Sequence, residues 1–124
     1  MSIFRRARGG PSRVSVQEAR PRAPGAAGHA VLLEVREPCE WQVGRAPRAV
    51  HLPLSAPAAG AGLPAQAQER PLVVICRSGN RSRQDAELLV ARGSEAVDVI
   101  GGMRERAGSG LPAVDARGRN GTVA

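Results

Sequence analysis

The chain has no lysine and no tyrosine, and its 124 residues include one phenylalanine, one tryptophan and two cysteines. Each scarcity excludes something. With so few aromatic rings there are no stacking platforms for bases, so the formal net charge of +7 does not read as a nucleic-acid surface. All of the basic charge is arginine, set among abundant alanine, glycine and proline, a bias that fits a G+C-rich coding sequence. Attraction to small anions is the safer inference from that charge. Cys39 and Cys76 cannot form a disulfide framework, and no metal-ligand spacing includes them with His29 and His51, so neither a metal nor another cofactor is expected. Both histidines read as partly buried or loop residues. No apolar run approaches the ~20 residues of a membrane span. Residues 1–10 are basic but lack the apolar stretch of a secretory signal, so a reducing cytoplasm is the expected location.

What is present is concentrated in one segment. Leu72 to Ile75 form an apolar run that reads as a strand buried on both faces, followed at once by Cys76-Arg77-Ser78-Gly79-Asn80-Arg81-Ser82. From about Arg81 to Ala91, apolar residues at Ala86, Leu88, Leu89 and Val90 predict a helix, with Gly93 as its stop. A loop between a buried strand and a helix aims backbone N–H groups at one spot, and the helix dipole adds positive potential there. Arg77 and Arg81 add two full charges. Such surroundings favour negative charge on sulfur, and the thiolate is the reactive form of cysteine. A structural role for Cys76 as a small buried hydrophobe fits this junction poorly.

The rest of the chain predicts a repeated strand-and-helix order. Arg13 to Val16 reads as a short first strand or extended arm, and Ser15 with Glu18 has capping-box spacing for a short helix that Pro21 and Pro24 would stop. Ala30 to Val35 is the second strand, and Pro38 suits the first turn of a helix that Gly44 ends. Ala49 to Leu52 is a third strand closed by Pro53, residues 55–69 are a weak helix or loose loop, and Val97 to Ile100 is the last strand. Gly101-Gly102 then leads into a final short helix ending before Gly110-Leu111-Pro112. This alternation implies an α/β fold with a parallel sheet covered by helices on both faces. Ligands of such sheets sit outside the carboxyl ends of the strands, where Cys76, Arg36 and Gly101-Gly102 all fall. The organisation expected is a disordered basic tail over 1–11, one domain over 12–114, and a flexible tail over 115–124, with no internal repeat.

These residues resemble the single-domain rhodaneses, which are thiosulfate or polysulfide sulfurtransferases. The blocks that carry the resemblance are Leu32-Leu33-Glu34-Val35-Arg36-Glu37-Pro38 with Trp41, Gly44 with Pro47, and Ala49-Val50-His51-Leu52-Pro53-Leu54. The loop from Cys76 to Ser82 follows, then Gly101-Gly102-Met103 and Gly110-Leu111-Pro112, so the match runs over roughly 13–114. It implies a doubly wound domain with a five-stranded parallel sheet. It also implies that Cys76 takes a sulfane sulfur as a persulfide and passes it to a thiophilic acceptor such as a thiol or cyanide. Attack on the outer sulfur of thiosulfate leaves sulfite, whose growing charge the arginines and loop amides would stabilise.

On this reading Arg77, Ser78, Gly79, Asn80, Arg81 and Ser82 bind the anion or the persulfide sulfur. Arg36 contacts the anion or pairs with Glu34, Glu37 or Glu40. Glu34 bonds loop amides, Trp41 packs its helix onto the sheet, and Gly101 and Gly102 give structural support. The chain departs from the family at Glu34, where aspartate is usual, at Arg48, where glycine is usual, and at Arg106, where tryptophan is frequent. Arg48 would strain its turn if the backbone there needs a positive φ. Arg45, Arg48, Arg104 and Arg106 either rim the mouth of the site or are ordinary solvated arginines. Cys39 reads as surface variation, with a resolving thiol as the alternative. Competing functions are a non-enzymatic sulfane-sulfur sensor or partner-binding module, and a cysteine-loop phosphatase or arsenate reductase. The phosphatase pattern needs five residues between cysteine and arginine, and Ser82 stands at that arginine position.

Overall fold

A computed structural model describes residues 13–19, 30–53 and 62–123. Five parallel strands form one sheet: β1 (Arg13–Val14), β2 (Val31–Arg36), β3 (Val50–Pro53), β4 (Leu72–Ile75) and β5 (Ala96–Val99). Their spatial order is β1-β5-β4-β2-β3. From β2 the chain moves outward to β3, and from β4 it moves outward to β5 on the other side. The order therefore reverses between β2 and β4, the crevice where doubly wound sheets place their ligands.

Side chains alternate across the sheet and divide the core in two. On one face Leu32, Val73, Ile75, Val97 and Val99 pack with Val16 and Ala19 of α1 (Val16–Ala19) and Met103 of α4 (Gly102–Gly108). On the other face Leu33, Val35, Leu72 and Val74 pack with Ala86 and Leu89 of α3 (Asn80–Ala91). Both faces are thus covered, which is why the strands read as apolar runs.

The helix starts follow their local chemistry. In α1 the Ser15 side chain accepts from Glu18 N–H at 3.1 Å while Glu18 accepts from Ser15 N–H at 3.0 Å. A second capping box, Glu37 with Glu40, opens α2 (Pro38–Val43), with Pro38 in its first turn. Of the stretch 55–69 expected as a weak helix or loose loop, residues 55–61 lie outside the described residues and Ala65–Ala67 form a 3-10 turn. The expected basic tail over 1–11, Pro21 and Pro24 lie outside the described residues.

One expectation meets a different outcome, in the C-terminal segment. Residues 115–123, expected within a flexible tail, lie against α2 and the turn after it. Ala116 N–H donates to Gln42 O, Thr122 N–H donates to Val43 O, and Arg45 and Val114 exchange two bonds of 2.8 Å. Val123 packs on the core cluster that contains Ala46. Trp41 meets the sheet through His51 of β3 but is only half-buried, and α2 buries no residue fully. Its ring stacks on His51 at 4.7 Å between centroids, and the Arg45 guanidinium covers it at 4.2 Å.

Arg48 adopts φ 65°, the left-handed region that side chains bearing a Cβ avoid. The strain anticipated for this turn is therefore present. Arg48→Gly is expected to raise unfolding free energy by about 0.5–1 kcal/mol, the relief of left-handed strain less the entropy glycine adds to the unfolded chain. Urea denaturation of the two proteins at one pH checks it.

Candidate active site

Cys76 follows β4 directly and is only 3% exposed, with its side chain on the α3 face of the sheet. The loop that carries it folds back on the sulfur. Gly79 N–H donates to Cys76 Sγ at 3.1 Å and Ser82 N–H donates to it at 3.3 Å. These amides belong to the cap and first turn of α3, a helix of 12 residues, so helix polarity and hydrogen bonding act on the sulfur together. Gly79 reaches this geometry at φ 94°, and a Cβ there would stand 2.7 Å from Gly101 N.

The loop backbone is held from outside. Cys76 O accepts from Met103 N–H at 2.7 Å and Arg77 O from Arg104 N–H at 3.0 Å. Gly102 permits this approach, since a Cβ at that position would lie 2.3 Å from Cys76 O. Gly79 O accepts from the Arg13 guanidinium at 2.9 Å. Arg13 also pairs with Asp98 at 3.1 Å, and Asp98, with no exposed surface, accepts from Ser82 Oγ at 3.4 Å. Arg13 and Asp98 are direct neighbours in the β1–β5 register. Neither had been singled out from the sequence. The signal available was an aspartate inside the apolar run Ala96 to Val99.

Not every residue expected at the site reaches it. Arg36 does not, and its assignment as an anion contact is corrected. Period-two alternation puts Glu34 and Arg36 on the face of Leu32, opposite Cys76. There the guanidinium, fully buried, donates to Glu34 Oε1 at 2.7 Å, to Gly44 O at 2.6 Å and to Glu40 O at 3.1 Å. Glu34 Oε2 accepts from Ala46 N–H at 2.6 Å. Burial pushes the Glu34 carboxyl up from its ordinary range, while Arg36, the Ala46 amide and the charge of Arg106 pull it back. Arg106 itself donates to Pro112 O. Arg77 is more than half exposed and turns toward Glu40, with 3.9 Å from Nε to Oε2. Ser78 and Asn80 stand exposed on the loop, and Gly101 adjoins it at φ 80°. Cys39 is exposed on α2.

Arg81 lies in the first turn of α3, beside the loop, and is 37% exposed. Its one partner among the described residues is Asp85, one turn on, at 3.6 Å from Nε to Oδ1. Asp85 has no exposed surface, and neither carboxylate oxygen has a hydrogen-bond partner. Burial raises its carboxyl to about 6, with Arg81 opposing the rise.

Among the described residues no three histidine, cysteine or acidic side chains gather to hold a metal, and no helix is long and apolar enough to cross a membrane. A family profile, "Rhodanese-like domain", matches residues 18–107. A rhodanese-related protein from Thermoplasma volcanium is 25% identical, with a TM-score of 0.68 over 83% of this chain and 97% of that one. A rhodanese homologue from Thermus thermophilus is 26% identical, with a TM-score of 0.57 over 75% of this chain and 98% of that one. A Rhodopseudomonas palustris protein titled "Possible Tyrosine Phosphatase" shares the fold at 18% identity, with a TM-score of 0.69 over 82% of this chain and 83% of that one.

Two predictions follow from the buried charges. Arg36→Met leaves Glu34 buried without its counter-ion and is expected to cost about 3–5 kcal/mol in denaturant melts. For Asp85 the native carboxyl titrates near 6 against an ordinary value of 3.8. Between those values the native state holds more protons than the unfolded chain, so stability falls as pH rises through the window. Asp85→Asn is therefore expected to gain about 1–3 kcal/mol at pH values above the window and almost nothing below it, measured by denaturation across that range.

Proposed function

The chain belongs to the rhodanese-like domain family, and from that premise we infer that it is a sulfurtransferase working through a Cys76 persulfide. The observation that carries this reading is the convergence of two backbone N–H groups on Cys76 Sγ at the N-terminus of α3.

The step begins with the Cys76 thiolate attacking the outer sulfur of thiosulfate or a related sulfane donor. A sulfur–sulfur bond forms to Cys76, and the donor's own sulfur–sulfur bond breaks with its electron pair leaving on sulfite. The persulfide then gives its terminal sulfur to a thiolate or cyanide, and Cys76 returns as thiolate. Negative charge stays on sulfur at the loop throughout, and preorganised amides stabilise such charge without having to reorganise. Arg81, in the first turn of α3 next to the loop, is the group suited to the sulfonate of the donor and to the departing sulfite. No general base is required once the thiolate is present.

The alternative of phosphate chemistry fits the residues less well. A phosphate cradle of the cysteine-loop type places its arginine at position 82, which here is a serine whose hydroxyl is turned to buried Asp98. The loop one residue shorter suits a sulfur atom.

Incubation with thiosulfate is expected to add a single sulfur to the wild-type protein by intact-mass spectrometry, and cyanide is expected to remove it as thiocyanate. Cys76→Ser should show neither. Arg81→Gln is expected to raise the KM for thiosulfate about tenfold or more, the loss of one charge-assisted contact, with a smaller effect on the rate of persulfide discharge to cyanide. Absence of both mass gain and thiocyanate with any sulfane donor would sink the assignment.

A further inference from the structure

Asp85 is difficult to account for as part of the fold. On the buried face of α3 it stands between Ser82 and Ala86, with Leu89 beyond. It is completely buried, neither oxygen accepts a hydrogen bond, and its one ionic partner is held at 3.6 Å, longer than a charge-assisted hydrogen bond. Burying an ionised carboxylate so poorly satisfied is costly. The partner is equally underused. Arg81 has its Nε buried without a hydrogen bond, and it lies in the first turn of a helix, where a cation opposes the dipole.

The other charges around α3 are committed elsewhere. This helix packs against β5, β4 and β2. On β5, Asp98 is held by Arg13 and Ser82 Oγ. On β4 there is no charged residue, and Cys76 just beyond it accepts from Gly79 and Ser82. On β2, Glu34 and Arg36 hold each other on the far face, and the near face carries Val31, Leu33 and Val35. Residues 54–61 contain no titratable side chain. Among the described residues Asp85 and Arg81 are thus left to one another.

We propose that Asp85 is a protonation-set restraint on Arg81. As a carboxylate it draws the guanidinium toward the interior of α3 and places a negative charge behind the Cys76 loop; as a carboxylic acid it releases Arg81 to an anion in that loop. Both effects have one sign. Ionised Asp85 opposes anion binding, first by competing for Arg81 and second by repulsion through a poorly screened interior. Linkage makes the coupling reciprocal, so an anion bound at the loop favours proton uptake at Asp85. The burial that raises the carboxyl to about 6 places the change within reach of modest acidification. Asp85 acts through Arg81 and touches no reacting atom, which makes it a positioning residue.

This inference rests on Arg81 being the anion contact of the site assigned above, but it does not need sulfur transfer to occur. A test independent of turnover uses two alkylating agents on Cys76. Iodoacetate and iodoacetamide both form a carbon–sulfur bond with the thiolate and release iodide, but only iodoacetate is an anion across pH 5 to 8. The ratio of their rates cancels the thiolate fraction and reports how the loop receives negative charge. Rates are read on the Cys76 peptide by mass spectrometry, which separates it from exposed Cys39.

In wild type the iodoacetate-to-iodoacetamide ratio is expected to rise about fivefold as pH falls from 8 to 5, the effect of removing one charge near the site. In Asp85→Asn, and in Asp85→Ala as a second variant, the ratio should be high and flat with pH. In Arg81→Gln it should be low, with most of the slope gone. A flat wild-type ratio, a slope that survives in Asp85→Asn and Asp85→Ala, or an undiminished slope in Arg81→Gln overturns the proposal. So does a ratio in Asp85→Asn below that of wild type at pH 8, which would make Asp85 a support for Arg81 and not a restraint. If sulfur transfer is absent but these ratios behave as expected, the assignment as a sulfurtransferase falls while the restraint stands.

Discussion

A carboxylate and a guanidinium with no exposed surface meet at 2.7 Å on the face of the sheet opposite Cys76, and much of the frame is arranged around that contact. Glu34 and Arg36 both belong to β2, two residues apart and on one face. From there Arg36 gathers the carbonyls of Glu40 and Gly44, and Glu34 takes the Ala46 amide. The pair therefore fastens the end of β2 to α2 and to the turn that leads into β3. Neither partner is affordable alone, because a single buried charge would cost more than the pair returns. The turn so held is also the one that Arg45 and Val114 bridge, so the C-terminal segment closes over the same structure.

A second buried carboxylate performs the corresponding task on the other face. Asp98 joins Arg13 of β1 to Ser82 at the start of α3, and Arg13 in turn holds the Gly79 carbonyl. One ionic cluster thus supports the frame and another supports the loop, and each is assembled from positions that alternate out of an otherwise apolar strand. The sheet between them keeps the two from exchanging partners. Cys76, supported in this way, is positioned by backbone amides and by the Arg13–Asp98 pair behind the loop.

How far the residues disclose this is uneven, for physical reasons. The strand-loop-helix around Cys76 is legible because its signals are local: four apolar residues, an abrupt polar switch, a glycine where the chain must turn, then helical spacing. The strained turn at Arg48 is legible once the family's glycine is known. Arg36 misleads because its place in the sequence puts it at a strand end near the site, whereas the face of the sheet decides which side it serves. Arg13 and Asp98 escape notice because their contact spans 85 positions and depends on the β1–β5 register, which pattern alone does not supply. Trp41 looks like a core residue by composition, but a helix of six residues with no buried face gives it His51 and Arg45 to lie between. The segment after 114 is rich in glycine and arginine, and its attachment is through backbone bonds, which side-chain composition cannot announce.

The outward bonds of the loop carry one more consequence. The carbonyls of Cys76, Arg77 and Gly79 are occupied by Met103, Arg104 and Arg13, while the amides of Gly79 and Ser82 face the sulfur. In these residues two amides are turned toward the sulfur and three carbonyls are bonded away from it. On the proposed function, a guest that only accepts, such as a sulfide, a persulfide or an oxyanion, would meet its complement there. An alcohol, an amine or a protonated acid brings hydrogens of its own and finds no backbone oxygen of these residues free to receive them. Selectivity of this kind asks nothing of shape or size; it is written in which end of the peptide group was turned inward.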